Sequence, residues 1–224
     1  IIGGLAGDAL TVGENNTVVG RSALGACVDG DNNVAVDRNA LLVYEGGDGE
    51  GGNVGVGRDA GKALSTGQLN TILGHLAGDA ITTGSGNTII GRSAAASAVD
   101  VNNEITLGDS NITALRCQVT SISSLSDKRD KKDIKDSIYG LDFVDSLKPV
   151  TFEWDQRDGN RKGVKDVGFI AQDLQEVDDE YTRLVYESNP DKLEATYGRL
   201  IPIMAKAIQE LSAEVKELKK QING

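Results

Sequence analysis

The chain has 224 residues, a net charge of −11 and a pI near 4.6, with 25% charged and only 4% aromatic residues. The acidic balance argues against nucleic acid, whose phosphates are met by Lys and Arg, and no apolar run approaches the roughly 18 residues of a membrane span. His75 is the only histidine, and Cys27 and Cys117 are the only cysteines, which excludes His-dependent triads, His- or Cys-rich metal sites and a disulfide framework. The length allows one or two domains. The start Ile1-Ile2-Gly3-Gly4, with neither Met nor a signal-peptide pattern, reads as a fragment of something longer.

Composition divides the chain at Leu125. The first 125 residues hold 22 of the 28 glycines, no proline and one aromatic, Tyr44, whereas the last 99 hold 8 of the 9 aromatics and 17 of the 23 Lys and Arg. The first part is a repeat. Asn16-Thr-Val-Val-Gly20-Arg-Ser-Ala23 returns from Asn33, Asn53, Asn70 and Asn87, at spacings of 17, 20, 17 and 17. The long interval carries Glu45-Gly-Gly-Asp-Gly-Glu-Gly-Gly52, read as a surface loop. Each unit has a β-branched run, a Gly, small residues and Gly/Asp/Asn turn chemistry, which predicts two short strands per coil with tight corners. A single coil buries too little to be stable, and stacked coils share a core. This predicts a mainly β shaft, a parallel β-solenoid or β-roll, over 1–108. The pattern resembles the head repeats of trimeric bacterial adhesins and the shafts of phage fibres. From Asn103 the repeat degrades into a last coil, and 109–125 reads as an extended connector.

The second part predicts an α+β domain over 126–198. Ile138, Leu141, Val144 and Leu147 lie on one face of a helix over 137–147. Val150, Phe152 and Trp154 alternate as a strand after Pro149, a charged turn follows around Gly159-Asn160, and 167–171 is a second strand. From 199 onward Ile201, Met204, Ile208, Leu211, Val215, Leu218 and Ile222 are spaced 3, 4, 3, 4, 3, 4. That is a heptad seam, so 199–224 reads as a coiled-coil helix. Its mix of β-branched residues and Leu by itself leans to two strands.

Five motifs stand in order here: Ser126-Asp127-Lys128-Arg129-Asp130-Lys131-Lys132-Asp133-Ile134, Gly140-Leu141-Asp142-Phe143-Val144, Leu147 to Trp154, Gly168-Phe169-Ile170-Ala171-Gln172-Asp173-Leu174, and Tyr197-Gly198-Arg199-Leu200-Ile201-Pro202 running into Leu211. Over about residues 126–211 the series closely resembles the C-terminal intramolecular chaperone of bacteriophage tailspikes and tail fibres, of the endosialidase type. The same domain type occurs in some eukaryotic membrane-bound transcription factors. The resemblance implies a self-cleaving peptidase with a Ser–Lys dyad. Carried onto this chain, the cut bond is Leu125–Ser126, Ser126 is the nucleophile and Lys131 the general base, with Asp127 and Arg129 in the supporting motif. It implies a homotrimer, a place in the virion after assembly in the host cytoplasm, and contact with a host receptor or glycan through the full-length fibre. No cofactor is expected, because Ser supplies the nucleophile and a neutral Lys takes its proton.

A Lys serves as base only if desolvation or nearby cations keep it neutral. Lys128, Arg129 and Lys132 favour this, whereas Asp127, Asp130 and Asp133 oppose it if they pair with Lys131. Positions i and i+5 do not share an α-helical face, so the dyad needs a turn here or a Lys from a neighbouring chain. On spacing alone, Ser126-Asp127 is a helix N-cap before a charged, solvated face. Gly47-x-Gly49-x-x-Gly52 formally matches a dinucleotide fingerprint but lacks a βα unit, and Asp48 and Glu50 oppose a pyrophosphate. Asp29-Gly-Asp-Asn-Asn33 lacks the full Ca²⁺-loop pattern and reads as a corner. Cys27 and Cys117 read as small core residues, and His75 as a surface position aligned with Arg21, Arg58 and Arg92. The alternative function is a non-cleaving structural or adhesive trimeric fibre of a phage or bacterial surface.

Overall fold

The structure is a computed structural model that describes residues 1–46, 51–119 and 121–223. Gly47 and Gly49 of the dinucleotide-like pattern, and the tip of the inserted loop, lie outside the described residues. The chain forms two compact units, Ile1–Thr113 and Ala114–Gly224.

The first unit is a parallel β-solenoid of about five turns. Its strands are β1 (Thr17–Val19), β2 (Val34–Val36), β3 (Val54–Val56), β4 (Thr71–Leu73), β5 (Thr88–Ile90) and β6 (Ile105–Leu107), paired in chain order. The register places Val18, Ala35, Gly55, Ile72 and Ile89 in one inward column. Ala23, Ala40, Ala60, Ala77 and Ala94 make a second buried column. Where Gly55 leaves the inward column empty, Leu41 fills the space, and a Cβ on Gly55 would sit 2.7 Å from Leu41 Cγ.

Among the described residues each coil has one strand, not the two expected. The physical reason lies in the corners after each strand. Ser22 and Leu24, Asn39 and Leu41, Asp59 and Gly61, and Leu76 and Gly78 all have left-handed φ, between 48° and 61°. Two left-handed residues separated by one other leave no extended run for a second strand. At the strand ends Gly20, Gly57, Gly74 and Gly91 adopt φ between 124° and 135°. A Cβ at Gly74 would lie 2.6 Å from the Gly91 carbonyl oxygen, so a side chain at Gly74 would strain the stacked corner. The second copy puts Asp37 there instead, at φ 93°.

The second unit contains α1 (Leu141–Ser146), β7 (Val150–Glu153), β8 (Lys165–Gly168), α2 (Ala171–Gln175), β9 (Val185–Tyr186), β10 (Glu194–Ala195) and α3 (Leu200–Asn223). α1 is shorter than the 137–147 expected. Glu210 on α3 accepts from the Leu141 N–H at 2.7 Å and so fixes its start. Leu147 is already extended at ψ 145°, ahead of Lys148, which Pro149 disfavours from helix. β8 also ends early. Phe169 gives its N–H to Tyr197 Oη at 3.2 Å instead of to a strand, and Ala171 opens α2. β7 and β8 form an antiparallel hairpin, with Arg161 stacked over Trp154 at 4.8 Å.

The core of this unit is small: Leu174, Leu184, Leu200 and Ile203, with Tyr139, Phe143, Val144, Leu147 and Phe169 packed against it. α3 therefore shows two apolar faces. Leu200, Ile203 and Ala207 are buried, whereas Ile201, Met204, Ile208, Leu211, Val215, Leu218 and Ile222 are 40–80% exposed. Among the described residues no helix is long and apolar enough to cross a membrane.

Candidate functional site

Residues 121–138 are all exposed, so local hydrogen bonding alone shapes the chain around Ser126. Asp127, in extended conformation at φ −67° and ψ 137°, caps a 3-10 turn over Lys128–Asp130, its carboxylate accepting from the Arg129 N–H at 2.8 Å. The Asp130 and Lys131 N–H groups close the turn on the Asp127 and Lys128 carbonyls, each at 3.2 Å. A 3-10 turn is tighter than an α-turn, at three residues per turn. The chain therefore doubles back, and Lys131 Nζ donates to Ser126 Oγ at 2.5 Å. The i, i+5 separation, which a regular helix would splay, is closed within one chain.

Asp127 does not turn to the lysine. Arg129 grips it with a fork, Nε to Oδ1 at 3.0 Å and Nη2 to Oδ2 at 2.7 Å. Hydrogen bonds from the Arg129 side chain and backbone hold the Asp127 carboxyl below the usual range, and the same pair raises Arg129. Among the described residues no carboxylate forms an ion pair with Lys131. The Leu125 side chain, on the residue before Ser126, is fully exposed. The contact is direct, with no group between Lys131 Nζ and Ser126 Oγ.

The remaining expected residues are scattered. Asn32 is a left-handed corner at φ 58°, and Asp31 accepts from the Glu14 N–H at 2.6 Å. Among the described residues no group of three or more His, Cys, Asp and Glu is arranged to hold a metal ion. Cys27 is buried in the solenoid core, but Cys117 is exposed, a correction to its reading as a core residue. It lies in a stretch with no packed neighbours, where a small apolar side chain has no core to enter. His75 is half-buried, and its Nε2 accepts from Arg58 Nε at 2.9 Å.

Two features were not foreseen from the sequence. The repeat asparagines form an internal ladder. Asn33, Asn53, Asn70 and Asn87 are buried, and each backbone N–H donates to the preceding Asn Oδ1 at 2.9–3.0 Å. The 17-residue Asn spacing was the available signal, but it marks register without saying which way the amide points. The other feature is Asp178, whose carboxylate accepts from the Leu184 and Val185 N–H groups at 2.7 and 3.0 Å and from Thr182 Oγ1 at 2.5 Å. Nothing in the acidic run Asp178-Asp179-Glu180 distinguishes it in the sequence.

No curated protein and no solved structure gives a significant match to the chain. Residues 126–185, which begin at the serine of the Ser126–Lys131 contact, match the family model Peptidase_S74, described as chaperone of endosialidase.

Proposed function

We infer that this chain is the C-terminal part of a phage tail fibre or tailspike. Its terminal domain drives trimerisation and folding of the β shaft and then releases itself by cutting between Leu125 and Ser126. The observation that carries the reading is the 2.5 Å contact between Lys131 Nζ and Ser126 Oγ at the start of the family-matched segment.

In the mechanism, neutral Lys131 takes the Ser126 hydroxyl proton as Oγ attacks the Leu125 carbonyl carbon. The Leu125–Ser126 amide breaks, its nitrogen takes a proton and leaves as the new amino group, and an ester joins Leu125 to Ser126 Oγ. Water then hydrolyses the ester, giving a Leu125 carboxylate and a free Ser126 hydroxyl. No cofactor enters this balance. The nucleophile and its carbonyl are adjacent in one chain, so the reaction is unimolecular and its rate depends on how firmly the turn is held.

Two exposed apolar surfaces support self-association. One is the α3 seam. The other is the outward column Val19, Val36, Val56, Leu73, Ile90 and Leu107, aligned by the strand register, in which the three valines are half-buried and Leu73, Ile90 and Leu107 are exposed. Outward-facing apolar stripes of this length are uncommon in a monomer. Assembly before cutting has a use. Removing the assembly device makes dissociation hard to reverse and leaves the shaft kinetically trapped.

Intact-mass spectrometry of the refolded full chain tests this. It is expected to return two pieces, ending at Leu125 and beginning at Ser126, and light scattering is expected to return a trimer before the cut. A stable folded monomer that stays intact contradicts the reading.

A further inference from the structure

Seven residues at the candidate site carry or can accept charge or a proton: Ser126, Asp127, Lys128, Arg129, Asp130, Lys131 and Lys132, with Asp133 following. All are exposed, and among the described residues no other element packs against the turn. Lys131 is thus faced by groups of its own turn only. Asp127 is next to the nucleophile, and Asp130 and Asp133 flank Lys131 in sequence. Both Asp127 oxygens are occupied by the Arg129 fork, at 3.0 and 2.7 Å.

We propose that Arg129 is a positioning residue for the self-cleavage that acts by sequestering Asp127, so that this carboxylate cannot hold Lys131 in its protonated form. The inference rests on the reading of Ser126 and Lys131 as the reacting pair. A base must be neutral to accept a proton, and an adjacent carboxylate stabilises the charged amine. Guanidinium suits the task for two reasons. It stays charged throughout the working pH range, and its planar fork takes both carboxylate oxygens at once, which an ammonium cannot do. The same fork fixes the Asp127 cap that folds the turn, so one residue both closes the chain on Ser126 and removes the competing anion. Lys128 and Lys132 add cationic repulsion that does not depend on this pair.

The experiment uses the full chain, isolated uncut in denaturant and refolded by dilution into buffers of increasing pH. Cleavage is followed by denaturing gel and assembly by light scattering. The wild-type rate is expected to rise with pH to a plateau, because the reaction needs a neutral base. In Arg129→Gln, the freed Asp127 pairs with Lys131, and the midpoint of that rise is expected to move up by roughly one pH unit, which is about tenfold in rate at a fixed pH below it. Arg129→Gln combined with Asp127→Asn is expected to bring the midpoint back to the wild-type position. If Arg129 only shapes the turn, Arg129→Gln slows the reaction by one factor at every pH with the midpoint unmoved, and the double variant does not restore it. That result overturns the inference while leaving the dyad intact. Lys131→Ala separates the two levels. If it is cut as fast as wild type, or if wild type is never cut at Ser126, the dyad reading fails and the role of Arg129 fails with it.

Discussion

Replacing Asn70 with Ala isolates the contribution of the buried ladder. The Asn70 amide holds four groups: its Oδ1 accepts from the Asn87 backbone N–H and Nδ2, both at 3.0 Å, and its Nδ2 donates to Asn53 Oδ1 at 3.1 Å and to the Gly84 carbonyl at 2.9 Å. Removing it leaves two backbone groups, the Asn87 N–H and the Gly84 carbonyl, without partners in the buried interior. The Asn53 and Asn87 amides keep other hydrogen bonds. An unsatisfied buried polar group costs about 1–3 kcal/mol, so the two together cost roughly 2–6 kcal/mol. Asn16 occupies the equivalent position in the first coil but is only half-buried. Water can reach the groups it leaves, and Asn16→Ala is expected to cost about 1 kcal/mol. The assay is the unfolding rate in denaturant, with amide exchange at Asn87 as a local readout. If most of the loss appears in that rate, the lower bound corresponds to roughly thirtyfold faster unfolding. The Asn87 N–H should lose protection in Asn70→Ala and keep it in Asn16→Ala. Equal, near-zero effects at the two positions would mean that the ladder is decoration on an independently stable sheet.

Asp37→Gly is expected to stabilise the shaft by about 1 kcal/mol, since it relieves a non-glycine residue at φ 93° where the other coils place Gly; chemical denaturation checks this, with Gly74→Ala as the destabilising counterpart. Asp178 gives the terminal domain an acid-sensitive element. Burial pushes its carboxyl up, but hydrogen bonds from Thr182, Leu184, Val185 and Asp179 outweigh this, and the net shift is below the ordinary 3.8. A depressed carboxyl contributes stability that is present above its unfolded value and lost as pH falls through its folded value. Thermal melts are therefore expected to hold at pH 5–7 and fall below about pH 4, with Asp178→Asn removing part of that pH dependence, since Asp166, Glu176, Asp179 and Glu210 are also shifted down. Ile208→Asp places a charge in the middle of the α3 seam without touching the buried Leu200, Ile203 and Ala207. Light scattering is expected to show loss of self-association with the fold of the terminal domain kept.

The solenoid was legible because its period is written in Asn and Gly, the two residue types whose backbone and amide roles recur in every coil. Its second expected strand was not, because Leu24, Leu41 and Leu76 adopt left-handed φ that no composition rule assigns to leucine. Packing of the corner by neighbouring coils dictates that conformation, and packing is a long-range property. α3 and its seam followed directly from the 3,4 apolar spacing. α1 was overestimated because periodicity cannot register Glu210, which sets its start from 69 residues away. At the candidate site, the identities of Ser126 and Lys131 came from resemblance to a family, not from spacing, since i and i+5 diverge on any regular helix. The 3-10 turn that joins them depends on the Asp127 cap and the Arg129 fork. Both residues were noted as supporting, but their geometry is not encoded in any short pattern. Cys117 failed as a core residue because small size and polarity say nothing about whether a core exists nearby.

In the proposed function Ser126 cuts the bond before it with Lys131 as its base. The most direct measurement compares wild type, Ser126→Ala and Lys131→Ala after refolding, by denaturing gel with N-terminal sequencing of the small fragment. Wild type is predicted to release a fragment beginning at Ser126, and both variants are predicted to assemble but remain full length, since both side chains are exposed and belong to no core. A fragment beginning at residue 126 from the Ser126→Ala chain, or a wild-type chain that assembles and stays whole, contradicts the account.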